Sequence, residues 1–131
     1  AAIRGVTTGQ YAKHIREVYE KMEIAPEHEY LRETLKCMTG KLEAATAKVA
    51  EAGSTEYTDF HARRLVETAG HIIITYLLAR QAGESAEYID SARIYCKLAE
   101  SKVAEAYNYL MHSDVEDVDL FKKVGQEEAI G

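Results

Sequence analysis

Apolar residues recur along this chain at the pitch of an α-helix. Leu31, Leu35, Met38, Leu42, Ala45, Val49 and Ala52 step by alternating fours and threes, one apolar seam of a bundle helix. Gly53 follows where a C′ glycine belongs, and Ser54 or Thr55 is placed to cap the next helix. An earlier segment repeats the spacing with Tyr11, Ile15, Val18, Tyr19 and Met22. It opens at Thr7 or Thr8, with Gln10 in capping-box register to Thr7, and ends near Glu23. Ala25-Pro26 breaks it and opens the seam helix, whose Glu27 and Glu29 face the positive end of the dipole. Gly40, inside that helix, costs up to ~1 kcal/mol and is expected to permit close helix approach.

The third helix carries Tyr57, Phe60, Leu65, Ala69, Ile72, Ile73, Tyr76 and Leu77. From Ala69 onward almost every face is apolar, so this helix should be central or should also pack against something beyond the domain. Gly83 and Ser85 mark the next break. The fourth helix uses Tyr88, Ala92, Tyr95, Ala99, Val103, Ala106 and Leu110. Ser113 with Glu116 reads as a capping box before a short helix from Val115 to about Val124, with residues 125–131 frayed. No strand pattern, fixed-period repeat or low-complexity tract interrupts this order. The expectation is all-α: an up-down-up-down four-helix bundle with a short extra C-terminal helix, one domain over residues 1–131.

Composition narrows the function classes. A chain of 131 residues that is 47% hydrophobic can bury one core without a metal or disulfide staple. A net charge of -6 argues against a nucleic-acid surface and against docking on anionic lipid. The longest apolar stretch, Ile72 to Ala79, is far below the roughly 20 residues that span a bilayer. Cys37 and Cys96 form no CxxC pair and read as free thiols buried beside apolar neighbours, which fits a reducing, cytoplasmic compartment. The chain starts at Ala1 without an initiator methionine, so it is expected to be a piece of a longer protein.

Chemistry is mostly missing. A di-iron bundle needs inward Glu residues and Glu-x-x-His steps, and no Glu here has a His three residues later. Glu67 and His71 share a turn and His61 lies further back on the same helix, but no second helix supplies matching ligands. They read as a surface ion pair plus a polar residue at a helix boundary, and no metal site is assigned. His14 with Glu17 and Arg16 with Glu20 read as solvated pairs worth ~0.3–0.5 kcal/mol. His28 and His112 sit near helix ends, where exposure is expected. There is neither a Gly-x-Ser-x-Gly elbow nor a glycine-rich phosphate loop. The nine tyrosines supply most of the aromatic volume and read as core edge rather than a stacking surface. Arg63-Arg64 reads as a solvated face or an interdomain salt bridge before it reads as an anion site. No catalytic, cofactor-binding or metal-ligating residue is assigned to any position.

Particular stretches carry a resemblance. Ala1-Ala2-Ile3-Arg4-Gly5-Val6-Thr7-Thr8-Gly9 resembles the segment of acyl-CoA dehydrogenases that follows their Tyr-Glu-Gly-Thr active-site segment. Asp59-Phe60-His61-Ala62-Arg63-Arg64-Leu65-Val66-Glu67, with the Tyr30 to Val49 and Ser91 to Tyr107 helices, is similar to an extra C-terminal helical domain of some bacterial members, the acetyl-CoA dehydrogenase-like C-terminal domain. The resemblance implies a parent enzyme that oxidises an acyl-CoA thioester to the 2,3-enoyl-CoA with FAD. It implies electron-transfer flavoprotein as that enzyme's partner, beside the upstream domains; a second copy of the chain is a further candidate partner. It places the flavin and the catalytic glutamate in the upstream domains, so that this chain holds no cofactor and is inactive alone. A stand-alone interaction module and a small metallo-bundle remain the competing readings of the residues themselves.

Overall fold

The computed structural model describes residues 10–21 and 26–130, and every element among them is helical. Helix α1 covers Gln10–Lys21. A 3₁₀ turn at Pro26–His28 leads into α2, Glu29–Ala52. Helix α3 is Thr55–Glu84, and a second 3₁₀ turn at Ala86–Tyr88 precedes α4, Ile89–His112. Helix α5 is Val115–Ile130. The four-helix bundle with an extra C-terminal helix is therefore the observed architecture. The caps at Thr7 and Thr8 and the break at Glu23 to Ala25 lie outside the described residues.

The seams close on one another as their spacing requires. Leu31, Leu35, Met38, Leu42 and Val49 of α2 meet Leu65, Ala69 and Ile72 of α3 and Ala99, Val103 and Leu110 of α4, all buried. Each of α2, α3 and α4 packs against the other two. Helix α1 adds Ile15 and Tyr19 and lies along α2 and α3, while α5 adds Val118 and rests on α3. Gly53 takes φ 63°, the left-handed conformation that ends α2, and the Ser54 hydroxyl accepts from the Tyr57 N–H to begin α3. A two-residue connection of this kind forces α2 and α3 antiparallel.

Three expectations change. Helix α3 is central, since it touches every other helix, but it is not buried all round. Ala69, Ile72, Thr75 and Ala79 face inward, whereas Ile74 and Leu77 are 44% and 46% exposed along an outer ridge that none of the described residues covers. Helix α5 runs to Ile130, past Val124, because Gly125 sits on an open helix surface where glycine weakens a helix without breaking it.

Gly40 permits no close approach, since a Cβ built there meets nothing within 4 Å, and Gly70 is equally open. Both are helical and carry no positive φ. Gly40→Ala and Gly70→Ala are each expected to raise stability by about 0.5–1 kcal/mol, through a less flexible unfolded chain and better helix propensity. Thermal melting should show the two gains adding, and a lowered midpoint would mean that something packs on these positions.

Candidate functional site

The densest polar cluster in the core is at the corner where α4 ends. The last carbonyls of a helix have no partner within it and form the negative end of its dipole. Here the Lys48 ammonium of α2 meets them. Its Nζ donates to the Leu110 carbonyl at 3.0 Å, to the Met111 carbonyl at 2.7 Å and to the Ser113 carbonyl. The Tyr57 hydroxyl of α3 donates to the same Ser113 carbonyl at 3.3 Å. The Ser113 hydroxyl donates to the Leu110 carbonyl at 2.8 Å, so it accepts from His61 Nε2–H, also 2.8 Å away. This order of donors fixes the His61 tautomer and leaves Nδ1 buried with no hydrogen-bond partner among the described residues.

A serine hydroxyl hydrogen-bonded to a histidine is the starting arrangement of an activated nucleophile. Three features exclude that role. His61, Tyr57 and Ser113 are 0%, 1% and 3% exposed, so no substrate reaches them. The serine proton goes to Leu110, and His61 donates rather than accepts. Among the described residues no carboxylate orients Nδ1. Burial, reinforced by Arg64 and Lys48 and opposed by Asp117, pushes His61 down to about 4, so the ring is neutral near pH 7. The cluster is a hydrogen-bonded pin across α2, α3 and α4.

Sequence reading missed this pin, although a signal was present. His61 lies four residues from both Tyr57 and Leu65, on the buried face of α3, so the expected helix-boundary histidine is a core residue. The Ser113–Glu116 capping box is also corrected. Asp114 and Asp117 form it instead, with Asp114 N–H on the Asp117 carboxylate at 2.8 Å and Asp117 N–H on the Asp114 carboxylate at 3.2 Å. Ser113 cannot cap α5 because its hydroxyl is engaged inward.

The other singled-out residues go elsewhere. Glu67 pairs with Arg63 at 3.0 Å, and His71 Nδ1 stands 3.0 Å from the Tyr95 hydroxyl, so the Glu67, His71 and His61 side chains do not converge. Among the described residues no three His, Cys, Asp or Glu side chains group to hold a metal. Arg16 pairs with Glu43 of α2 rather than with Glu20. Arg63 and Arg64 diverge: Arg64 lies 4.3 Å over the Tyr109 ring, 5.4 Å over Phe60, and donates to the Phe60 carbonyl. His112 is exposed and His28 half-buried. Cys96 is buried, and burial pushes its thiol up, whereas Cys37, between the seam positions Leu35 and Met38, points off the α2 seam and is exposed. Tyr19 and Tyr57 are core, while Tyr30, Tyr88 and Tyr109 are exposed.

Two of the open grooves on the described surface are lined by histidine and charged residues. One, of about 520 Å³, lies between α1 and the end of α3 and includes His14, Glu17, Lys21, Arg80 and Glu84. The other, of about 460 Å³, lies between α3 and α4 and includes Arg64, Glu67, His71, Lys102, Glu105 and Tyr109. Both mix acids with bases. Almost all their lining residues are inside helices, where the backbone N–H groups are already spent, so neither groove cradles a phosphate. No described helix is long and apolar enough to cross a membrane.

The described part is an all-α bundle whose polar pin is sealed inside it. The sequence matches the family described as acyl-CoA dehydrogenase C terminal over residues 7–118, and the chain belongs to that family. It is similar to a solved acyl-CoA dehydrogenase family protein from Porphyromonas gingivalis, with 36% identity and a TM-score of 0.80. That alignment covers 86% of this chain and 97% of the other. Comparison with the curated proteins gives no match. Among the described residues, neither of these two grooves offers a backbone cradle for the pyrophosphate of a flavin.

Proposed function

We infer that this chain is the accessory C-terminal helical domain of an FAD-dependent acyl-CoA dehydrogenase, with a structural or docking role and no catalysis of its own. The family match over residues 7–118 carries the reading. The burial of the Ser113–His61 pair supports it. The parent oxidises acyl-CoA to 2,3-enoyl-CoA in the cytoplasm, its flavin and base belong to the preceding domains, and it passes electrons to an electron-transfer flavoprotein. A stand-alone interaction module is the less favoured reading, since the matching family is described as the C terminal of acyl-CoA dehydrogenases.

The purified chain should show no flavin absorbance and should not reduce an electron-acceptor dye when given an acyl-CoA. Turnover by this chain alone would overturn the reading. For a docking role, the outer ridge of α3 is the motivating observation, because exposed Ile74 and Leu77 form an apolar ridge on the central helix. The isolated chain should then bind a hydrophobic dye or self-associate, and Ile74→Ser with Leu77→Ser should reduce both. A monomeric, dye-silent chain removes the docking role and leaves the structural one.

A further inference from the structure

Helix α5 is lightly held. Among its described side chains, Val118 is the buried apolar anchor. Phe121 meets Phe60 edge-on at 5.4 Å yet stays 65% exposed, and Lys122 reaches Glu56 at 2.9 Å on the surface. Leu120 and Val124 face water. A helix of 16 residues is marginal by itself, so its docked position depends on the corner that feeds it. That corner is Ser113–Asp114, and Ser113 is the residue that His61 holds.

We propose that the His61–Ser113 hydrogen bond is an acid-sensitive latch, whose protonation opens the corner and frees α5 while α2, α3 and α4 stay packed.

Neutral His61 donates from Nε2 and keeps a bare Nδ1 in a site with no exposure. A second proton would create an N–H and a charge where no acceptor stands. The groups facing the ring add to the cost. From α2 comes the Lys48 ammonium, and from α3 itself the Arg64 guanidinium with the Tyr57 and Phe60 rings. From α4 comes the Tyr109 ring, 6.0 Å away. From α5 comes Asp117, the one carboxylate favouring the charge, and it is already engaged by the Asp114 N–H. The pinned ring is thus held at about 4. In water it returns to the ordinary histidine value of about 6.5. Between those values the open form binds more protons than the pinned one. The latch is therefore fully closed above about pH 6.5 and weakens as pH falls toward 4. The apolar layers at Leu31, Leu35, Ile72 and Val103 contain no titrating group and do not share this sensitivity.

The chain has no tryptophan, so Phe121→Trp places a sole indole on α5. Its emission should shift to the red between about pH 8 and pH 4.5, as the released-to-docked ratio rises on the order of 10²-fold. Hydrogen-exchange protection in α2, α3 and α4 should persist, and the His61 imidazole resonances should titrate with the same midpoint. His61→Gln can still donate to Ser113 but cannot gain a proton, and it should abolish the shift. An unchanged shift in that variant would assign the effect to the Asp114–Asp117 box or the Glu56–Lys122 pair and overturn the latch. So would the absence of any shift, or loss of all helices together. If His61→Gln does not fold, the imidazole titration decides: a histidine that protonates near 6.5 with α5 still docked overturns the proposal.

Discussion

Replacing Ile72 with alanine is expected to destabilise the bundle by about 3–4 kcal/mol. Ile72 is fully buried near the middle of α3, the helix that touches all the others. Removing three methyl-sized groups there loses their transfer energy and leaves a cavity that the surrounding helices cannot fully collapse. Alanine's better helix propensity returns only a few tenths of a kcal/mol. In a chain of this size the melting temperature should fall by roughly 10–15 °C. Ile74→Ala supplies the control on the same helix, because Ile74 stands on the exposed ridge and its truncation should cost under about 0.5 kcal/mol. Equal costs at the two positions would show that the inward and outward faces of α3 have been assigned wrongly.

Lys48→Met is expected to cost about 2–3 kcal/mol, because the hydrogen bonds lost come from a charged donor and leave buried carbonyls short of partners. Methionine keeps most of the lysine stem, so the loss reports on the ammonium rather than on packing. Three carbonyls at the end of α4 depend on it, those of Leu110, Met111 and Ser113. Chemical denaturation should give the reduced stability with an unchanged slope. Amide exchange should quicken first at residues 110–114. If the variant melts like the parent, the tyrosine and serine hydroxyls alone suffice to terminate α4.

The two kinds of residue in this fold differ in how far the sequence announces them. The α2 seam from Leu31 to Val49, the glycine at 53 and the serine cap at 54 were legible because each depends on a local rule of spacing or dihedral preference. The corner was not. Lys48 reaches carbonyls more than sixty residues ahead, and no local pattern distinguishes it from a solvated lysine. His61 was half-legible, since its place on the Tyr57–Leu65 face fits a core position, but its imidazole suggested a helix boundary. The cap of α5 slipped by one residue because Ser113 has the right chemistry for capping, and only the folded chain shows its hydroxyl turned inward. The outer ridge at Ile74 and Leu77 could not be told from the inner face, because residues 69–79 are apolar on both.

The brief connections, two residues between α2 and α3 and two between α4 and α5, keep interacting segments near each other in the chain. A polymer with so little loop to close loses little entropy before its first favourable contacts form, and such topologies cross their folding barrier in microseconds to milliseconds. Pulled open or heated past its midpoint, this module should spring back quickly and dwell only briefly in the half-collapsed states from which helical proteins clump.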